Sequence, residues 1–127
     1  MKHLSLCALA GFLISWNAAA DPLIVHTDSG SIRGAAMGEH AWAWLSIPYG
    51  KPPFGPLRWK APEKLDPWDG ILSCEQPAKR QRERGGVEDR LYLNVWRPQN
   101  DDRDLPVLVD IHGGGNMAYD GMANVMR

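Results

Sequence analysis

Apolar and polar positions fall into five short runs along this chain. Leu23-Ile24-Val25-His26-Thr27 and Ser31-Ile32-Arg33-Gly34 flank Asp28-Ser29-Gly30, a turn-forming tripeptide, and together predict a β-hairpin. Ala43 to Ile47 predicts a third short strand, carrying Trp44. Further on, Leu91, Leu93 and Val95 alternate with Tyr92, Asn94 and Trp96, which is the period of a strand. Asn94 is polar in the middle of that strand and needs hydrogen-bond partners if it is buried. The fifth run, Val107, Leu108, Val109 and Ile111, is apolar and largely β-branched, and predicts a buried strand interrupted by Asp110. His112 and the glycines 113, 114 and 115 follow it directly.

Between these runs the chain is irregular. From Ile47-Pro48-Tyr49-Gly50-Lys51-Pro52-Pro53-Phe54-Gly55-Pro56 to Leu57-Arg58-Trp59, four prolines in nine positions argue against helix and central strand. They predict a rigid extended segment with its aromatics pinned against a larger body. Ala61-Pro62 to Trp68-Asp69-Gly70 continues in that style. Lys79 to Arg84 is a basic run without apolar periodicity, read as a solvated loop rather than a polyanion site. Asp101-Asp102-Arg103-Asp104 reads as a charged turn, without the glycine and glutamate spacing of a calcium loop. His26 and His40 are isolated and read as solvated or core histidines.

Composition narrows the class. The 127 residues carry a net charge of −1, so neither sign dominates and nothing points to nucleic acid or an anionic membrane. Thirteen glycines and ten prolines indicate a loop-rich chain rather than a helical bundle. The first twenty residues read as a secretory signal peptide: Lys2 and His3, an apolar stretch from Leu4 to Trp16, then Ala18-Ala19-Ala20. That stretch is too short to span a bilayer. Cleavage after Ala20 leaves 107 residues, and loss of Lys2 takes the net charge to −2. A secreted or periplasmic location follows, in an oxidising compartment. Cys7 leaves with the leader, so Cys74 has no partner for an internal disulfide and reads as a small buried apolar side chain.

The chemistry lies in the glycine run. Glycine adopts φ > 0 without steric cost and leaves its N–H open to close approach. A strand ending in His112-Gly113-Gly114-Gly115 is therefore a candidate oxyanion hole, with backbone donors facing developing negative charge. By itself the run reads equally well as a flexible turn.

Four segments, in order, resemble the N-terminal part of a type-B carboxylesterase, the family that includes the cholinesterases. They are Gly30-Ser31-Ile32-Arg33-Gly34; Ile47 to Pro53 with Gly55 and Leu57-Arg58-Trp59; Pro67-Trp68-Asp69-Gly70; and Glu88-Asp89-Arg90-Leu91-Tyr92-Leu93-Asn94-Val95 running on to His112-Gly113-Gly114-Gly115. The resemblance implies an α/β class, with residues 21–127 as the N-terminal portion of an α/β-hydrolase fold: leading antiparallel strands, then the first strands of the central sheet. It implies oxyanion donors at the N–H groups of Gly114 and Gly115, with Gly113 and the non-triad His112 shaping the loop. Arg58 and Glu88 match a structural ion pair. The implied partner is a small carboxylic ester, and neither cofactor nor metal is implied.

The departures matter as much. Arg90 stands where the family usually has a cysteine, and the partner cysteine is missing near Arg80 or Gln81. Cys74 lies too close to Trp68 to replace it. The loop between those positions is short, which argues against a choline ester. Asn116 stands where phenylalanine is common, and Tyr119-Asp120-Gly121 resembles a motif slightly further downstream, so that loop looks trimmed. No Gly-x-Ser-x-Gly nucleophile elbow is present, and in this fold the acid and histidine follow that serine. The 127 residues alone are thus expected to be inactive, and to fold poorly because the strand at 107–111 lacks its later neighbours. The alternatives are a non-catalytic binding or adhesion relative on the same scaffold, an inactive remnant, and a small exported interaction module.

Overall fold

Six strands follow one another in the computed structural model, which describes residues 20–77, 89, 91–111 and 113. They are β1 (Ile24–Thr27), β2 (Gly30–Arg33), β3 (Ala35–Met37), β4 (Ala41–Pro48), β5 (Ile71–Ser73) and β6 (Tyr92–Pro98). They form two three-stranded sheets, ordered β1-β2-β5 and β3-β4-β6.

The expected hairpin is present, with β1 antiparallel to β2 and Thr27 opposite Gly30. Its turn is tied by the Thr27 hydroxyl, which donates to the Gly30 carbonyl at 2.7 Å. β5 then adds to β2 in parallel, with Ile32 opposite Leu72. At the end of that ladder the Cys74 N–H donates to the Arg33 carbonyl, and the Cys74 carbonyl accepts from the Leu45 N–H, both at 2.7 Å. One residue therefore joins the first sheet to β4 of the second.

β4 is longer than the strand expected over Ala43 to Ile47, running eight residues from Ala41 to Pro48. It has neighbours on both edges, and apolar packing on both faces. Trp44 meets Ile32 and Cys74, with Trp42, Ile47 and Trp68 packed around them. Ala43 and Leu45 pack against Trp96 on the other face. Burial on both faces is why its sequence runs apolar instead of alternating.

Two indoles set the distance between chain segments. Trp68 lies against Gly30, where an added Cβ would fall 2.5 Å from its Nε1, and that nitrogen donates to the Ser31 carbonyl at 3.1 Å. Trp44 lies against Gly34, where a Cβ would fall 2.8 Å from the indole and collide with the Ala43 carbonyl. The Trp44 Nε1 donates to the Leu23 carbonyl at 3.0 Å, and the Gly34 N–H donates to the same oxygen at 2.9 Å.

Asn94 finds the partner that its position demands. The pairing of β4 with β6 slips between Trp44 and Ile47, so Leu45 and Ser46 oppose Asn94 in a β-bulge. Ser46 sits in the left-handed region at φ 60, and its N–H donates to Asn94 Oδ1 at 2.8 Å. Tyr92, Asn94 and Trp96 are half-buried, while Leu93 and Val95 are exposed.

Three expectations are corrected. The proline-rich segment contains one 3-10 turn, Gly55–Leu57, because Pro56 falls at its start, where the missing N–H has no partner to lose. Its aromatics are not pinned: Tyr49, Phe54 and Trp59 are exposed, Trp59 at 91%. Backbone bonds hold the segment instead, from the Tyr49 N–H to the Leu91 carbonyl and from the Lys51 N–H to the Glu63 carbonyl, each 3.0 Å. A Lys51–Asp66 ion pair at 3.0 Å assists, and that hydrogen bond and charge raise the Lys51 pKa. Finally, Val107 to Ile111 is neither strand nor buried, with exposures of 74–94%. A strand exists only through its neighbours, and every described partnership lies within residues 24–98.

The indole contacts make a graded prediction. Gly34→Ala places a methyl against a backbone carbonyl and should cost about 1–3 kcal/mol, as overpacking does. Gly38→Ala meets open space and bears only the backbone strain of its positive φ, with no collision, so it should cost less. Urea midpoints followed by circular dichroism would rank the two, and equal midpoints would contradict the contact.

Candidate functional site

The sequence places the candidate chemistry at 112–115. Gly113 is described and has nothing within 4 Å of where a Cβ would stand. His112, Gly114 and Gly115 lie outside the described residues, as do Glu88, the basic run 79–84 and residues 1–19 of the leader. Of the expected Arg58–Glu88 pair only Arg58 is described. It is exposed, with its guanidinium carbon 5.3 Å from the Trp59 ring centroid, a cation–π distance.

What the structure does bring together is a cluster around Asp89 and Tyr92. Asp89 is buried, and its Oδ2 accepts from the Tyr92 hydroxyl at 3.1 Å. Tyr92 pairs with Pro48, and Asn94 holds Ser46. Asp89 and residues 91–95 therefore form one packed unit with the Ile47-to-Pro53 segment, although they are far apart in sequence. A pocket of about 360 Å³ opens beside it, lined by Ser46, Pro48, Leu65, Leu72, Asp89 and Tyr92 among others. The sequence reading took Asp89 only as part of a motif. A carboxylate three residues before a tyrosine on a strand was the available signal for its role.

The other candidates are structural. His26 and His40 are exposed, with His26 Nδ1 2.8 Å from Ser31 Oγ across the hairpin. The charged turn after β6 is fastened by Arg97, whose Nη2 donates to the Asn100 and Asp102 carbonyls at 2.9 Å each. Among the described residues no cluster of His, Cys, Asp and Glu could hold a metal ion. No described helix is long and apolar enough to cross a membrane.

With that geometry in view, the carboxylesterase family model matches residues 21–125. The chain belongs to the carboxylesterase family. It is 37% identical to an acetylcholinesterase of Bungarus fasciatus over 127 aligned residues, covering 84% of this chain and 21% of that protein. It is 38% identical to the para-nitrobenzyl esterase of Bacillus subtilis over 109 residues, covering 72% of this chain and 21% of the relative. Among solved structures, a Geobacillus stearothermophilus carboxylesterase superposes with a TM-score of 0.68 at 38% identity, covering 78% of this chain and 21% of the other. The chain thus spans about a fifth of the length of these carboxylesterase relatives.

Cys74, the one cysteine described, is fully buried against Ile32 and Trp44, as a small apolar side chain is. Burial pushes its thiol up from 9.0 to about 11. The folded state thus favours the protonated thiol, and its contribution to stability is full below pH 9 and is lost as pH rises toward 11. Urea midpoints should fall across that window in the parent chain, and less in Cys74→Ala. The native thiol should also ignore a disulfide reagent at pH 8 until urea unfolds the chain. Immediate modification without urea would contradict the burial.

Proposed function

We propose that this chain supplies the oxyanion-hole loop of an exported carboxylic ester hydrolase. One observation carries the reading: the family match extends to residue 125 and so runs through Gly113, Gly114 and Gly115. In such an enzyme a serine, activated by a histidine and a carboxylate, attacks the ester carbonyl. The carbonyl oxygen becomes an alkoxide, and the N–H groups of Gly114 and Gly115 donate to it. Collapse releases the alcohol and leaves an acyl-enzyme, which water attacks over the same donors to release the acid. Glycine suits the loop because a Cβ would crowd the substrate. The short loop between the Arg80–Gln81 position and Arg90 favours simple esters over choline esters.

This chain holds neither the nucleophile nor its partners, so residues 1–127 alone should not hydrolyse esters. The test is a chimera in which residues 21–127 replace the matching N-terminal fifth of the Bacillus subtilis para-nitrobenzyl esterase. It should hydrolyse p-nitrophenyl acetate, and Gly114→Pro, which deletes one N–H, should lower kcat about 10²–10³-fold. Unchanged turnover in a folded Gly114→Pro chimera would remove Gly114 from the oxyanion hole.

Export rests on residues 1–20, and two further observations support it. The family match begins at residue 21, where the leader would end. Asp21 already anchors the mature end, its Oδ1 accepting from the Leu23 N–H at 3.0 Å and its Oδ2 lying 3.4 Å from an Arg33 nitrogen. N-terminal sequencing of the exported product should therefore begin at Asp21. A product that keeps Met1 would refute the leader.

A further inference from the structure

Among the described aspartates, Asp69 is the one followed by glycine. A glycine nitrogen has no neighbouring side chain to shield it, so an Asp–Gly linkage is open to attack by its own backbone. Asp69 and Gly70 are both exposed, and nothing lies within 4 Å of where a Gly70 Cβ would stand. Neither the Asp69 carboxylate nor the Gly70 N–H enters a described side-chain or loop hydrogen bond. Other aspartates are guarded. Asp21 and Asp66 precede prolines, whose nitrogens carry no hydrogen. Asp89 is buried against the Tyr92 hydroxyl, and Asp110 precedes the β-branched Ile111.

Position gives this linkage structural weight. Just before it, the Trp68 N–H donates to the Ser29 carbonyl at 2.9 Å, and Trp68 Nε1 donates to the Ser31 carbonyl at 3.1 Å. Just after it, Ile71 pairs with the same Ser31, and Leu72 with Ile32. Asp69 and Gly70 thus bridge two attachments to one hairpin, and the length of that bridge decides whether both can be kept.

We propose that Asp69 is a site of spontaneous covalent modification, isomerising to isoaspartate through a succinimide. The Gly70 nitrogen bonds to Asp69 Cγ. The nitrogen's proton and the Cγ hydroxyl leave together as water, which closes the ring. Water then adds to either ring carbonyl. Addition at Cγ restores aspartate. Addition at the Asp69 main-chain carbonyl breaks the original peptide bond, frees the α-carboxylate and leaves the chain running through Cγ. One water is lost and one is gained, so the mass is unchanged and no co-reactant is needed. The new backbone is one atom longer between Trp68 and Ile71. The seat of Trp68 on Gly30 and the pairing of β5 with β2 cannot both survive that insertion, so the modification loosens the layer that the indole holds.

Storage of the full chain in warm neutral buffer, followed by tryptic mapping, tests this. The peptide of residues 65–79 contains only Asp66, barred by Pro67, and Asp69. In the native chain it should split into two peaks of equal mass, the second growing with time. In water enriched in the heavy oxygen isotope, that second peak should gain one heavy oxygen atom. Asp69→Glu should abolish it, because the longer side chain closes its ring far more slowly. The separated isoaspartyl chain should have a lower urea midpoint than the fresh chain. A second peak that forms only in the urea-unfolded chain would mean that the fold protects Asp69, and would overturn the proposal. Persistence of the peak in Asp69→Glu would overturn it as well. An unchanged urea midpoint in the modified chain would remove the coupling to Trp68 and β5.

Discussion

The seating of two indoles on two glycines determines how this part of the molecule is built. Trp44 on Gly34 and Trp68 on Gly30 bring three distant segments to van der Waals contact, and each indole N–H is satisfied by a backbone carbonyl. Neither indole could approach so closely over a side chain. The hairpin, β4 and the loop carrying Trp68 thereby become one layer, and Cys74 can reach both Arg33 and Leu45 with its own backbone. The buried cluster of Ile32, Trp44 and Cys74 is what this close approach encloses. Described residues of motif segments far apart in sequence are thus parts of one contact network.

The second constraint is the bulge in β4. Two residues, Leu45 and Ser46, stand opposite Asn94, and Ser46 takes a positive φ that serine rarely adopts. The Asn94 side chain supplies the acceptor that the displaced Ser46 N–H requires. Beyond the bulge, the chain turns into Pro48-Tyr49-Gly50, where Gly50 lies close to Leu91 and to the Glu63 carbonyl. The proline-rich segment is in this way aimed by one asparagine and held by backbone bonds. Its exposed Tyr49, Phe54 and Trp59 contribute little to that hold.

Much of this was legible in the sequence where a local pattern dictates it. Asp28-Ser29 between alternating runs gives the hairpin, and the alternation from Leu91 to Trp96 gives β6. The polar Asn94 announced a need for partners without naming Ser46, because a bulge leaves no mark on one strand alone. The parallel pairing of β2 with β5 was not legible, since three residues at 71–73 have no period to read. The aromatics of the proline-rich segment misled for a different reason. Their apolar character predicts burial, yet burial needs a surface to pack against, and the described residues do not provide one for Trp59. Val107 to Ile111 failed in the same way: β-branched residues give a preference for extended backbone, and only a neighbouring strand converts that preference into structure.

That dependence connects the fold to the chemistry. A backbone N–H stabilises an oxyanion far better when its direction is fixed before charge develops, because no reorganisation is then required. Glycine provides access and removes steric hindrance, but it also gives the loop more freedom than any other residue would. Three glycines in a row therefore make a good donor array only when the strand leading into them is held. In this chain the stretch leading into them, 107–111, is solvent-exposed. On the proposed reading, the neighbours that order 107–111 as a strand also aim the N–H groups of Gly114 and Gly115. The contacts that hold Val107 to Ile111 would in this way set the direction of the donors before charge develops.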